Sequence, residues 1–163
     1  MIFLTVGSQL SFDRLTKAVD EWAANHPEIE IFGQIGITNY TPLHMRFSAT
    51  LSPLEYQSKI EDAEIIVSHV GMGTVITALD KGIPLLVMPR QAEHGEHRNN
   101  HQFSSLKLVR QYELIHVADN ESEIADLLDK MIVQCKDTTF EPEQLNVSPE
   151  LVEKINTFIN SDS

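Results

Sequence analysis

The feature that most constrains the fold is a repeated alternation between short apolar segments and segments with helical periodicity. The apolar segments are five or six residues long and rich in Val, Ile and Leu, as at residues 1–6, 64–68 and 84–88. Continuous apolar runs of this length are typical of strands in a parallel sheet that is covered on both faces. After the first of them, apolar residues recur at helical spacing: Leu15, Ala18, Val19 and Trp22. The alternation predicts a doubly wound parallel α/β sheet.

Capping residues predict where the elements begin and end. Ser52-Pro53-Leu54-Glu55 combines a capping Ser, a Pro at the first helical position and a Glu three residues after the Ser. Gly82 and Pro84 close a helix that starts at about Thr74. Ser11 is the expected cap of the first helix, and Asn120 with Glu123 resembles a capping box. Strands are predicted at 1–6, 30–35, 45–49, 64–68, 84–88 and 114–117, and further helices at 97–111 and 120–134.

Composition restricts the function more than the fold. The chain has 163 residues, with 12 Lys and Arg against 24 Asp and Glu, and a net charge of −12. This excess of negative charge argues against nucleic acid as a partner, because binding to phosphate backbones draws on many cations. A small anion can still be held by backbone N–H groups and a few local cations. The single Cys135 excludes a disulfide framework and is typical of a reducing cytosol.

Nothing in the sequence predicts a membrane span. The longest strongly apolar run, Ile83 to Met88, is far too short to cross a bilayer. Residues 1–6 lack the basic start of a signal peptide and are expected to form a strand instead.

The strongest motif is Ser68-His69-Val70-Gly71-Met72-Gly73-Thr74, which leaves a predicted strand and enters a predicted helix. Its two glycines permit tight backbone angles and close approach of a ligand. The free N–H groups of a helix start carry partial positive charge, which suits a diphosphate. The alternative is a plain strand-to-helix turn whose glycines only let the helix pack on the sheet.

A second motif is the polar segment Pro89 to Gln102, which directly follows a buried strand. Arg90 and Arg98 offer positive charge for a phosphate. Asn99, Asn100 and Gln102 offer the paired donors and acceptors that recognise sugar hydroxyls. The alternative is a solvated loop and helix start.

The same segment contains His94, His97 and His101, the last two spaced four residues apart. This spacing invites comparison with a metal site. The segment has no Cys or Asp beside these residues and lacks the Glu of the metalloprotease motif, so no metal ligand is predicted.

The third motif is Gly7-Ser8-Gln9, followed by Phe12-Asp13-Arg14-Leu15. It is a small-residue turn between a strand and a helix. In a doubly wound sheet all three motifs follow strands, so they are expected at the same ligand-binding edge.

Taken together, the three motifs and the segments Gly82-Ile83-Pro84 and Val87-Met88-Pro89-Arg90 resemble the glycosyltransferase family 28 C-terminal domain. The resemblance covers about residues 1–135. More narrowly, these segments resemble the single-domain members of the family, which are donor-binding subunits of dolichol-linked and exopolysaccharide glycosyltransferases. It implies a Rossmann-like domain equivalent to the C-terminal half of a GT-B glycosyltransferase. Residues 136–163 are expected to be an acidic tail with a short helix after Ser148-Pro149.

The resemblance also implies roles for individual residues. Residues 71–74, which are Gly71, Met72, Gly73 and Thr74, would face a UDP diphosphate, and Gly7, Ser8 and Gln9 would close on the phosphates or the donor sugar. Asn99 and Asn100 match a pair that contacts donor-sugar hydroxyls, and Glu96 and His97 match the loop of the bacterial subgroup. His69 and His97 are candidates for the catalytic base, which a partner subunit can supply instead.

Two positions depart from the family pattern. Related enzymes usually carry a Glu three residues after the Ser or Thr of the turn, where it accepts from the ribose hydroxyls, whereas this chain has Thr77. The bacterial subgroup usually has an acidic pair where Asn99 and Asn100 stand. Either change alters sugar choice or nucleotide affinity, or marks a degenerate subunit.

The sequence therefore predicts a UDP-sugar-binding subunit of a two-component, inverting glycosyltransferase. It would act without a cofactor, docked at the cytosolic membrane face on a membrane-anchored subunit that binds a lipid-linked acceptor. The alternative is a non-catalytic nucleotide-sugar-binding or scaffold subunit. Whether the isolated chain forms a homo-oligomer is left open.

Overall fold

Six parallel strands form one sheet in the computed structural model, which describes residues 1–96 and 101–142. The strands are β1 Ile2–Thr5, β2 Ile31–Gln34, β3 Arg46–Ser48, β4 Ile65–His69, β5 Leu85–Met88 and β6 Ile115–Val117. The helices are α1 Asp13–Ala23, α2 Pro53–Asp62, α3 Met72–Lys81, α4 His101–Val109 and α5 Ile124–Asp137. Short 3₁₀ turns occupy Ala92–His94 and Glu121–Glu123.

The strand order is β3-β2-β1-β4-β5-β6, and every neighbouring pair is parallel. Strands β2 and β3 extend the sheet in one direction from β1, and strands β4, β5 and β6 extend it in the other. The direction changes between β1 and β4, where Leu4 lies opposite Val67. Ligands of open α/β sheets bind beside the carboxyl ends of strands at such a reversal. The prediction of a doubly wound parallel sheet is confirmed.

Successive residues of a strand point to opposite sides, and the central strands β1, β2, β4 and β5 are covered on both sides, whereas the edge strand β3 is exposed. Leu4, Val67 and Leu86 belong to one core cluster, together with residues of α1 and α5. Phe3, Ile66 and Leu85 belong to the other, together with residues of α2, α3 and α4. This arrangement explains why the strand segments are apolar throughout instead of alternating with polar residues.

The capping predictions have mixed outcomes. The capping box of Ser52 and Glu55 is confirmed, and Gly82 ends α3 with a φ of 65°. The prediction that Ser11 caps α1 is wrong: the capping position is Phe12, without a side-chain hydrogen bond. Asn120 instead caps the 3₁₀ turn that precedes α5, through a bond from the Ser122 N–H.

One predicted helix start also shifts. Helix α3 begins at Met72, two residues before the predicted Thr74, because Gly71 takes the capping position. Helix α4 is described from His101 onward, and its predicted start at residue 97 lies outside the described part of the chain.

The chain continues past α5 back onto the sheet. A Cβ added at Gly82 would lie 2.9 Å from the Pro142 nitrogen, and Phe140 packs against the core cluster that contains α3. The first residues of the predicted tail therefore contact the domain. The helix predicted after Ser148 lies outside the described residues, and the division of the chain at residue 135 stays a prediction.

A buried carboxylate organises the connection between β2 and β3, which contains no helix. Asp20 on α1 accepts from the Tyr40 hydroxyl at 2.7 Å, from the Leu43 N–H at 3.0 Å and from the His44 N–H at 2.8 Å. Burial acts to raise the pKa of Asp20, but these donors outweigh it and lower the pKa below its ordinary value. The same contact and the burial of Tyr40 raise the pKa of its hydroxyl to about 12.

We expect Asp20→Asn to lower the free energy of unfolding by about 1–3 kcal/mol, because an amide offers one acceptor oxygen to donors that now bond two. Urea unfolding measures the loss. In the wild type this contribution is complete above about pH 4 and declines as the pH falls through the lowered pKa, whereas the Asn variant lacks the decline. The control is Glu21→Gln, which removes only an exposed ion pair with Lys17 on the same helix. Equal stability of the two variants would contradict the role of Asp20.

Candidate functional site

Three loops meet at the carboxyl edge of the central strands. They are residues 6–12 after β1, residues 70–71 after β4 and residues 89–96 after β5. The first two flank the reversal of the strand order. All three motifs found in the sequence therefore start at this edge, as the parallel arrangement requires.

The amino end of α3 opens at this edge. Gly71 occupies its capping position without a side-chain hydrogen bond, and the Val75 N–H is the first that bonds back, to the Gly71 carbonyl at 3.0 Å. The N–H groups of Met72, Gly73 and Thr74 precede that bond, as expected for a first helical turn. A Cβ added at Gly73 would meet nothing within 4 Å. This end of α3 therefore offers donors and open space to an anion.

The imidazole of His69 lies between two glycines. A Cβ added at Gly71 would lie 2.7 Å from His69 Nε2, and one added at Gly7 would lie 3.4 Å from Cε1. Gly7 has a φ of 78°, a conformation that favours glycine. His69 therefore joins the loops after β1 and β4, and its ring is half-buried at the reversal of the strand order.

The side chain of Gln34, the last residue of β2, anchors the loop after β1. The Gln34 amide donates to the Gly7 carbonyl at 3.0 Å and to the Ala49 carbonyl at 3.1 Å, and it accepts from the Thr5 hydroxyl at 2.8 Å. Ser8 and Gln9, which follow Gly7, are exposed. The predicted residues of this loop are therefore accessible at the ligand edge.

Arg90 is placed differently from the prediction. The residue is 4% exposed, and its guanidinium donates to backbone carbonyls of Val6, Leu10, Ser11 and Glu96. It also lies 4.8 Å from the centre of the Phe12 ring. Burial lowers the pKa of Arg90 to about 10, which leaves the group charged at neutral pH. Because the guanidinium is covered and occupied by carbonyls, direct neutralisation of a phosphate does not fit this placement.

Glu96 is likewise buried in an ion pair and not exposed at the edge. Its carboxylate accepts from Arg14 at 2.9 and 3.0 Å and from the Gln91 N–H at 2.9 Å. Arg14 also bonds Glu121 at 2.7 Å. The hydrogen bond to Glu96 is the main cause that raises the pKa of Arg14, and the bond from Arg14 lowers the pKa of Glu121. The pair holds the loop after β5 against α1.

Sequence reasoning gave Arg14 no role. The pair joins residues 82 positions apart, and no local spacing in the sequence marks such a contact. Only the fold brings the start of α1 beside the loop after β5.

Thr77 lies one turn after Gly73 on α3. Its hydroxyl donates to the Gly73 carbonyl at 2.9 Å, so the side chain bonds within its own helix. Thr74 and Met72 are half-buried at the same helix start. Met72, Thr74 and Thr77, which the sequence predicted as donor-binding residues, therefore lie together in the first turns of α3.

For four predicted site residues the structure describes no side chain. His97, Asn99 and Asn100 lie outside the described residues, and Gln102 is on α4 with its side chain outside the described part. Within residues 1–96 and 101–142, no group of three or more His, Cys, Asp or Glu is arranged to hold a metal ion. None of the helices in those ranges is long and apolar enough to cross a bilayer.

The model of the glycosyltransferase family 28 C-terminal domain matches residues 1–150. The chain belongs to this family. The match covers all three glycine and polar motifs at the ligand edge.

A mouse protein, UDP-N-acetylglucosamine transferase subunit ALG13, is similar in sequence. It is 30% identical over 119 residues, which covers 64% of this chain and 9% of the mouse protein. This member of the family therefore spans about a tenth of the length of that relative.

Two solved structures share the fold. The glycotransferase of kitacinnamycin matches with a TM-score of 0.59 at 19% identity, covering 96% of this chain and 37% of that one. MurG of Acinetobacter baumannii matches with a TM-score of 0.55 at 16% identity, covering 95% of this chain and 49% of that one. The expected fold, that of the C-terminal half of a GT-B glycosyltransferase, is confirmed.

We expect Glu96→Gln to lower the free energy of unfolding by about 2–3 kcal/mol, because it leaves the buried guanidinium of Arg14 without its main partner. The matched control is Glu121→Gln, which removes the other carboxylate on Arg14. The Glu96 side chain is 7% exposed and the Glu121 side chain 48%, so the control should cost less than about 1 kcal/mol. Urea unfolding of both variants compares them, and equal losses would refute the role assigned to Glu96.

Proposed function

We propose that this chain binds the UDP-sugar donor of a glycosyltransferase that transfers the sugar to a lipid-linked acceptor. The observation that carries the proposal is the amino end of α3. There a family 28 domain presents first-turn N–H groups that bond no side-chain cap among the described residues, and an unobstructed Gly73 beside the reversal of the strand order.

The diphosphate is the part of the donor that this site suits best. A helix amino end attracts negative charge, and residues 72–74 supply N–H donors without a competing side-chain cap. Gly7, Ser8 and Gln9 lie across the reversal and would close on the phosphates or the sugar. This arrangement lets a chain of net charge −12 hold an anion, because the donors are local backbone groups.

The rest of the donor is assigned to neighbouring residues. Thr77 lies one turn along α3 from Gly73, and its hydroxyl oxygen, which donates to the Gly73 carbonyl, would accept from a ribose hydroxyl. Asn99, Asn100 and Gln102 would bond the hydroxyls of the donor sugar. Glu96 and Arg90 would shape the loop after β5 without touching the donor.

Transfer with inversion requires a base for the acceptor hydroxyl and stabilisation of the leaving group. The acceptor hydroxyl attacks the anomeric carbon, the bond to UDP breaks, and a base takes the hydroxyl proton. The N–H groups of α3 would stabilise the negative charge that develops on the departing UDP. His69 and His97 are the candidates for the base in this chain, and a partner subunit can supply it instead.

A partner chain would bind the acceptor. The mouse relative is named as a subunit of UDP-N-acetylglucosamine transferase, which supports both a UDP-sugar donor and a second chain. The two structural neighbours are each about two to three times as long as the part that this chain matches. We propose that a membrane-anchored subunit binds the acceptor and would hold the chain at the cytosolic face.

Thr77 favours a second candidate function. A hydroxyl that donates within its own helix is a weaker partner for ribose than the usual Glu. The chain would then be a non-catalytic subunit that binds nucleotide sugar or serves as a scaffold.

Gly73→Val is expected to raise the Kd for UDP by at least about 100-fold, because a branched side chain fills the space that the diphosphate would enter. The fold should persist, since a Cβ at Gly73 meets nothing within 4 Å. Isothermal titration calorimetry with UDP measures the change. Asp80→Val, at the exposed far end of the same helix, is the matched control and should keep wild-type affinity. Unchanged affinity of the Gly73 variant would refute the site.

Labelled sugar should pass from a UDP-sugar to a lipid acceptor when this chain is co-expressed with its partner, and not when it is alone. We expect the transfer to persist in EDTA, because N–H groups and not a metal ion would stabilise the diphosphate. Binding of UDP without transfer in the complex would support the scaffold function. Loss of transfer on chelation, restored by a divalent ion, would contradict the metal-free site.

A further inference from the structure

The buried guanidinium of Arg90 joins two loops that strand order keeps apart. Arg90 follows β5, whereas three of its four carbonyl partners, on Val6, Leu10 and Ser11, follow β1. Strand β4 lies between β1 and β5, so the side chain reaches past the end of β4. Arg90 therefore fixes the loop after β1 from a distance of two strands.

Each of the two terminal nitrogens of the Arg90 guanidinium bonds two carbonyls. Nη1 donates to the Ser11 carbonyl at 2.7 Å and to the Glu96 carbonyl at 3.1 Å. Nη2 donates to the Val6 carbonyl and to the Leu10 carbonyl at 3.0 Å. A planar guanidinium serves such a fan of acceptors, whereas the ammonium of Lys has three donors around one atom.

Inward carbonyls determine where the neighbouring N–H groups point. In a trans peptide the C=O of one residue and the N–H of the next point in opposite directions. Arg90 turns the Val6 carbonyl inward, and Gln34 does the same to the Gly7 carbonyl. The Gly7 N–H therefore points away from Arg90 and the Ser8 N–H points away from Gln34, and neither donates to another residue of the described chain.

We propose that Arg90 is a positioning residue that, by holding the Val6 carbonyl, directs the Gly7 N–H toward the phosphates of the nucleotide and supports the loop in which Gln34 sets the Ser8 N–H. The inference rests on the proposed function and deepens it, because it assigns the phosphate contacts of this loop to backbone groups. Arg90 itself would not touch the ligand, since its guanidinium is covered and bonded to carbonyls.

The test compares UDP with uridine, which lacks the phosphates, by calorimetry on the wild type and Arg90→Lys. We expect the Kd for UDP to rise about tenfold, which corresponds to about one lost phosphate contact. The Kd for uridine should change less than about twofold, because the loop holds only the phosphates. A general loss of structure would weaken both ligands alike.

Amide NMR spectra of the free proteins give a second measurement. In Arg90→Lys the signals of Gly7 and Ser8 should shift or broaden, while those of β2 stay in place. Arg90→Met removes all the donors and should have a larger effect if it folds. Leu128→Ala, in the core beside α5, is the control: it should lose stability and keep both affinities.

Several results would overturn the inference. Unchanged Gly7 and Ser8 signals, unchanged UDP affinity, or equal loss of UDP and uridine in Arg90→Lys would each do so. If Gly73→Val abolishes UDP binding while Arg90→Lys does not weaken it, the proposed function stands and the positioning role falls. If the wild type does not bind UDP, both fall.

Discussion

The charge of Arg90, buried beneath the ligand edge, is the constraint on which the shape of that edge depends. A buried cation is tolerated only when acceptors surround it, and here the acceptors are backbone carbonyls from the loops after β1 and β5. Satisfying the charge therefore fixes the course of both loops at once. The Arg14–Glu96 ion pair fastens the loop after β5 a second time, against α1. The two loops take this course because charges and carbonyls that leave water have to be paired.

The charged side chains that hold the loops are different from the groups that are exposed at the ligand edge. Two charged side chains that sequence patterns offered for ligand contact, Arg90 and Glu96, are buried and hold loops in place. What the described part of the edge presents outward is small: the glycine turns at Gly7 and at Gly71–Gly73, with the open amino end of α3. Such a surface suits a compact anion, because backbone N–H groups at a helix start carry partial positive charge.

Local sequence features predicted the elements well where a single segment decides the outcome. Each of the six predicted strand segments overlaps one strand of the sheet, and the box of Ser52 and Glu55 predicted the start of α2. Predictions failed where a residue distant in sequence determines the local structure. Ser11 does not cap α1, because its carbonyl is bound by Arg90 and the chain turns one residue later at Phe12. The role of Asp20 depends on residues 20 or more positions away, and no periodicity marks it.

The sequence by itself determined that this chain is a doubly wound parallel sheet with its glycine turns at one edge, because hydrophobic periodicity and parallel connection leave few other solutions. It also determined the family, through motifs in a fixed order. Only the tertiary structure decided which polar residues are buried. Arg90 and Glu96 sit in a polar segment that looks accessible in sequence, yet Arg90 is enclosed by carbonyls of the loop after β1 and Glu96 is paired with Arg14 of α1. Burial and pairing of charges depend on contacts between distant segments, and these exist only once the sheet is assembled.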